Sequence, residues 1–80
     1  MQVVYLLRSV RWPQHRYVGC TGNLRRRLEE HQSGRSVHTN KYRPWRVAVA
    51  VAFADRGRAL AFEEYLKSGS GSAFARCHFW

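Results

Sequence analysis

Two charged side chains stand out by their position on a helix. In the stretch 24–32, Leu24 and Leu28 mark an apolar stripe, and Arg27 and His31, four residues apart, lie on the same side. Arg25, Arg26, Glu29 and Glu30 point elsewhere, and the spacing predicts two i, i+4 charge pairs, Arg25–Glu29 and Arg26–Glu30. Those pairs explain the outer arginines as a solvated face. Arg27 has no such explanation, because a guanidinium beside an apolar stripe needs an anion or a rim of solvent. The plain alternative is a side chain snorkelling at the stripe's edge. In the stretch 57–67, Ala59, Phe62 and Leu66 face a core, Glu63 lies at the margin of that face and Glu64 points away. A partly enclosed carboxylate is the ligand a hard cation such as Mg²⁺ prefers. Taken alone, an ordinary solvent-facing glutamate is the commoner reading, and Leu60 fits the helical phase poorly.

Tyr5 and Tyr17 are the other candidates. Residues 2–8 alternate as a strand, with Val3, Tyr5 and Leu7 on one face and Val4 and Leu6 on the other. Trp12-Pro13-Gln14-His15 breaks the pattern, and residues 16–20 read as a second strand. A hairpin between the two can bring both phenols to one face. Each tyrosine alone is equally well an ordinary strand residue.

The elements that must position these groups follow in order. Thr21-Gly22-Asn23 is a turn and helix start, with Thr21 or Asn23 as the N-cap. The first helix runs over 24–32 and stops near Ser33-Gly34. Residues 34–44 read as a basic loop with room for a short helical turn. The strand 47–53 places Val47, Val49, Val51 and Phe53 against Ala48, Ala50 and Ala52, which predicts cover on both sides and a helix close over the alanines. The second helix spans 57–67, Ser68-Gly69-Ser70-Gly71 ends it, and residues 72–80 form a short last helix with aromatics that dock back. The class is α+β: a small, mainly antiparallel three-stranded sheet, the N-terminal hairpin plus strand 47–53, flanked by helices in one domain over 1–80.

The chain has 80 residues and a formal net charge of +9. Ten of its fourteen Lys and Arg fall in residues 1–46 with only Glu29 and Glu30, an excess of +8, against +1 in residues 47–80. Arginine outnumbers lysine, which suits bidentate phosphate contacts. An anionic polymer is the natural partner, with nucleic acid ahead of an acidic membrane surface. No apolar run is long enough to span a bilayer, and no signal peptide is expected ahead of Val3. Cys20 and Cys77 are far apart, which fits a reducing, cytoplasmic setting, and the His and Cys spacings do not suit a structural zinc site. Arg35, His38, Lys41 and Arg43, interleaved with Tyr42 and Trp45, suit backbone contact and base stacking. The alternative is a solvated loop whose Trp45 packs under the sheet.

The chain resembles the GIY-YIG nuclease superfamily, and is most similar to its small stand-alone single-domain members of the UvrC N-terminal type. Val3-Val4-Tyr5 stands where GIY stands, and Tyr17-Val18-Gly19 where YIG stands. The motif's first Gly and Ile are both Val here, while the phenol remains. Thr21 to Leu28 resembles the family's helix entry, with its arginine at Arg27 and a histidine one turn later at His31. Ala59 to Lys67 resembles the helix that carries the metal-binding glutamate, at Glu63, and Lys67 to Phe74 resembles the ending of small members.

The resemblance implies a DNA endonuclease, structure-selective or weakly specific, acting in DNA repair or recombination. Tyr5, Tyr17, Arg27, His31 and Glu63 would be catalytic, and Glu63 would hold one Mg²⁺ or Mn²⁺. Arg27 would bind the scissile phosphate. A tyrosine would orient or deprotonate the attacking water, with Tyr17 favoured as base and Tyr5 as orienting group. A free phenol titrates near ~10, so the metal and the guanidinium would have to favour phenolate. His31 would support Arg27 or touch the phosphate, a neutral packing histidine being the alternative. Arg35, His38, Lys41, Arg43 and Lys67 would contact nucleic acid, DNA ahead of RNA, and a protein partner or homodimer could supply specificity. The competing reading is a non-catalytic nucleic-acid-binding module on the same fold.

Overall fold

A computed structural model describes residues 1–80. The chain runs β1 (Gln2–Ser9), β2 (Arg16–Thr21), α1 (Leu24–Ser33), a 3-10 turn (Asn40–Tyr42), β3 (Trp45–Phe53), α2 (Arg56–Lys67) and α3 (Gly69–His78). The sheet is antiparallel with order β2-β1-β3, and the central strand β1 is the most buried of the three. This is the expected α+β arrangement. No helix is long and apolar enough to cross a membrane.

The strand alternation sorts the core into two layers. Val4 and Leu6 of β1 pack with Ala59, Leu66 and Ala75 of α2 and α3 on one face. Tyr5 and Leu7 pack with Trp45 on the other, where Leu24 and Leu28 of α1 close over them. Asn23 is the cap of α1, its side chain accepting from the Arg26 N–H at 3.0 Å, and Gly34 ends the helix in the left-handed region at φ 83°.

Three local expectations need correction. The strand 47–53 does not hold one alternation throughout. A bulge pairs Leu6 with Val49 but Leu7 with Val47, leaving Ala48 over, so Val47 joins the tyrosine face while Val49 and Phe53 stay on the α2 face. No helix covers the alanines: Ala48, Ala50 and Ala52 are exposed. Ala50 pairs with Tyr5 and Ala52 with Val3, so these two form an uncovered strip on the tyrosine face. Finally, Ser68-Gly69-Ser70-Gly71 is not a loop. Ser68 ends α2 and caps α3 at once, its hydroxyl donating to the Tyr65 carbonyl at 2.6 Å and accepting from the Gly71 N–H at 3.2 Å. Gly71 sits where a Cβ would lie 1.7 Å from the Tyr65 carbonyl oxygen, which lets the two helices meet at a sharp corner.

Candidate active site

Strand register builds the first half of the site. Tyr5 pairs with Gly19 and Leu7 with Tyr17, so both phenols lie on the α1 face with their ring centroids 6.1 Å apart. Gly19 supplies the space between them. A Cβ there would fall 2.5 Å from Tyr5 Oη and 2.9 Å from Tyr17 Cε2. The residue is glycine for clearance, since Gly34 alone has positive φ.

Helix α1 adds the second half. Its i, i+4 pair, Arg27 and His31, arrives over the phenols as the helical phase requires. The His31 ring centroid is 5.8 Å from that of Tyr5 and 4.9 Å from that of Tyr17. Tyr5 Oη and His31 Nε2 are 2.9 Å apart, and His31 Nδ1 and Thr39 Oγ1 are 2.7 Å apart. His31, Tyr5 and Thr39 are all essentially buried. Burial, and then the charge of Arg27, hold the His31 imidazole below its ordinary pKa, so it is neutral near pH 7. A neutral imidazole offers one donor and one acceptor. We assign the Tyr5 O–H as donor to Nε2 and the Nδ1–H as donor to Thr39, because burial, followed by the neighbouring Tyr17, pushes the Tyr5 phenol up to about 12 and keeps its proton on.

Arg27 serves both phenols and one acid. Its Nη1 donates to Glu30 Oε1 at 2.9 Å. This bond, and the phenols nearby, raise its pKa further above the ordinary arginine value, while Arg27 draws Glu30 below the usual carboxylate range. The charge pairs differ from those expected: Glu30 takes Arg27, three residues back, and neither Arg25–Glu29 nor Arg26–Glu30 forms. Arg25, Arg26 and Glu29 are exposed, where a helical pair gains only about 0.3–0.5 kcal/mol. Arg27 and Glu30 are about one-third exposed and compete less with water. A guanidinium has five N–H donors, so Arg27 keeps donors free for an incoming anion.

Glu63 is not joined to this cluster by a hydrogen bond or an ion pair. It lies on α2, against the opposite face, where its charge adds to burial in pushing the Cys20 thiol up. Cys20 belongs to the outer strand β2 and packs on the face that α2 covers. The Glu63 side chain is 21% exposed and its ion-pair partner is the exposed Lys67 ammonium at 3.4 Å. No three His, Cys, Asp or Glu side chains cluster anywhere. Mg²⁺ commonly takes one or two protein carboxylates and completes its shell with waters and phosphate oxygens, so one accessible glutamate fits such an ion.

The basic loop divides. Arg35, His38, Lys41 and Arg43 are exposed, and Lys41 sits 5.7 Å from the Tyr42 ring centroid. Trp45 does not share that surface: it is 4% exposed and donates its indole N–H to the Thr39 carbonyl at 2.9 Å, so it packs under the sheet. An aromatic shelf takes its place. His15 stacks on Tyr42 at 3.7 Å, and the exposed Trp12 meets the edge of Tyr42 at 5.8 Å. Ser9 ties the hairpin loop to this shelf, donating to the Tyr42 carbonyl at 2.8 Å and accepting from the Trp12 N–H at 3.1 Å. Sequence reasoning missed Thr39, Glu30, Trp12 and the spacing role of Gly19. Only Gly19 left a signal there, as the small residue two after Tyr17.

An α+β fold with helices on both faces of the sheet, paired strand phenols over a glycine notch, and a helical Arg and His above them, is the architecture the motifs call for. The family described as the GIY-YIG catalytic domain matches residues 1–75. The chain belongs to this family: it is a GIY-YIG catalytic domain. Among curated proteins it is similar to the structure-specific endonuclease subunit SLX1 of Debaryomyces hansenii, with 39% identity over 71 residues, 80% of this chain and 20% of that protein. SLX1 of Candida dubliniensis is 38% identical over 71 residues, 80% of this chain and 25% of that protein. SLX1 of Podospora anserina is 42% identical over 66 residues, 75% of this chain and 19% of that protein. The chain thus spans a fifth to a quarter of the length of these relatives.

Proposed function

We propose that the chain is the catalytic domain of a divalent-metal-dependent DNA endonuclease that selects its substrate by structure and serves DNA repair or recombination. The observation that carries this reading is the single connected cluster of Tyr5, Tyr17, Arg27 and His31 around Gly19, beside an uncovered strip of sheet. The relatives' naming as structure-specific endonuclease subunits supports the substrate class and a protein partner. The surplus of Lys and Arg supports an anionic substrate. Two unpaired cysteines go with a reducing, cytoplasmic setting.

Phosphodiester hydrolysis needs an activated water, charge neutralisation at the phosphate and help for the leaving oxygen. Arg27 binds the scissile phosphate with the N–H groups Glu30 leaves free, and Glu30 fixes the guanidinium's orientation. Tyr17, half-buried and reachable from solvent, takes the proton of the attacking water when it is in its phenolate form. Tyr5 is 1% exposed and tied to His31, so it orients rather than accepts. His31 and Thr39 act through Tyr5 as positioning residues. Glu63 would hold a Mg²⁺ or Mn²⁺ ion, which when bound supplies electrophilic help to the phosphate and the leaving oxygen. Arg35, His38, Lys41 and Arg43 contact the backbone of the bound strands, and Lys67 does so beside Glu63.

Supercoiled, nicked, branched and single-stranded DNA incubated with Mg²⁺ or Mn²⁺ test this directly. Wild type is expected to cut branched DNA faster than supercoiled duplex, while Glu63→Ala and Arg27→Ala cut at background. If wild type cuts nothing that the Glu63 variant leaves intact, the reading fails.

A further inference from the structure

The far end of the sheet carries a second basic site on the face away from the phenols. Arg8 pairs with Arg16 on one side and with Arg46 on the other, so three guanidinium-bearing residues form one row across the three strands. Like charges directly opposite one another across strands are destabilising. Neither ion pair of the molecule involves them. Trp80 offsets part of the repulsion, its ring lying 4.8 Å from the Arg16 guanidinium and 5.6 Å from that of Arg8. Its carbonyl accepts from Arg8 Nη2 at 2.7 Å. Arg8 Nε, although buried, has no hydrogen-bond partner. A buried N–H of a charged group left unmatched is costly, so the arrangement is incomplete without an acceptor.

Beside this row lies a cavity of about 290 Å³ lined by Arg8, Arg46, Val47, Ala48, Phe79 and Trp80. Its wall is basic on one side and apolar and aromatic on the other. That combination fits an anion attached to a flat, apolar-faced group. The volume is near the lower end for small-molecule sites, so the occupant is a single compact unit. Arg16 and Arg46 alone could be charges that blunt sheet edges, since β2 and β3 are the edge strands. Arg8 is on the central strand, where no edge needs protection.

We propose that this pocket is a second nucleic-acid site, which takes a phosphodiester group and the adjoining unpaired base of a single-stranded segment. The Arg8 and Arg46 guanidiniums hold the phosphate, and the Phe79 and Trp80 wall takes the base face, with Arg16 steadying Trp80 from its other contact. A paired base has its faces stacked and cannot enter. The proposal rests on nucleic acid being the partner, but not on cleavage.

The test uses the full chain without divalent metal, so that no strand is cut. Probes are a twelve-nucleotide oligothymidylate and inorganic phosphate, read by binding isotherms at several salt concentrations and by the NMR signal of Arg8 Nε–H. The double variant Arg16→Ala/Arg46→Ala, both exposed positions, is compared with the charge-matched Arg25→Ala/Arg58→Ala. The pocket variant is expected to bind the oligonucleotide about tenfold more weakly, with a salt slope smaller by roughly 0.7 for each phosphate no longer held. The charge-matched variant should lose less than half as much, and the oligonucleotide should shift the Arg8 Nε–H signal. Equal losses in the two variants would reduce the effect to net charge and overturn the proposal. So would an unmoved Arg8 signal, and so would phosphate that competes as tightly as the oligonucleotide, which would mark a free-phosphate site. Wild type that binds as expected here yet cuts no DNA would sink the nuclease reading alone.

Discussion

Replacing Gly19 with alanine asks whether the notch between the two phenols is what the site is built on. Backbone preference predicts a gain, since glycine in a strand interior is about 0.5–1 kcal/mol worse than alanine. Gly19 does not have positive φ, so nothing in its backbone opposes a side chain. The clearance does: the new methyl would lie 2.5 Å from Tyr5 Oη and 2.6 Å from Tyr5 Cζ. Tyr5 is 1% exposed and bonded to His31, so it has nowhere to swing. Overpacking a core costs about 1–3 kcal/mol, and a lost Tyr5–His31 bond leaves a buried polar group unmatched for about 1–3 kcal/mol more. Net of the backbone gain, Gly19→Ala should destabilise by about 1–5 kcal/mol. For a domain of this size each kcal/mol is worth roughly 4–8 °C in Tm. Thermal melts followed by circular dichroism should therefore show a fall of several degrees to about 20 °C or more, and cleavage should drop with it even well below the melt. Gly69→Ala is the internal control, because a Cβ there meets nothing within 4 Å. Its Tm should hold or rise. If Gly19→Ala melts as high as wild type and still cuts, clearance at Gly19 is not what spaces the phenols.

His31 should make stability fall as pH drops. Its folded pKa is depressed, so the unfolded chain binds the proton first: stability is intact above about pH 6.5 and declines as pH falls below it. His31→Gln should flatten that slope between pH 7 and 5 in urea melts, and an unchanged slope would remove His31 as its source. Tyr5 behaves oppositely, because its raised folded pKa keeps the native phenol neutral while the unfolded one ionises. Stability is then lost as pH rises from about 10 to about 12, and Tyr5→Phe should remove that loss. In cleavage assays Tyr17→Phe is expected to lower kcat by 10²–10⁴-fold, as loss of a general base does. A variant within threefold of wild type would transfer the proton to another group. Gln32→Ala should destabilise by about 1–3 kcal/mol, because the side-chain amide holds both backbone groups of Trp45, donating to its carbonyl and accepting from its N–H at 2.6 Å.

Local periodicity made much of this protein legible from its residues. Strand alternation alone put Val3, Tyr5 and Leu7 together, and helical phase put Arg27 beside His31, because both repeats are set by backbone geometry within a few residues. The same reasoning placed Glu63 at the edge of the buried face of α2. What lay beyond it depends on contacts between distant segments. Register decided that Gly19 sits opposite Tyr5, and a single bulge moved Val47 to the other face from Val49. Packing decided that His31 finds Thr39, that Glu30 takes Arg27 rather than Arg26, and that Trp45 goes under the sheet. It also set Glu63 beside Cys20 and aligned Arg8, Arg16 and Arg46 into one row. A residue's own stretch of chain dictates which way it faces, but only the folded sheet dictates what it meets there.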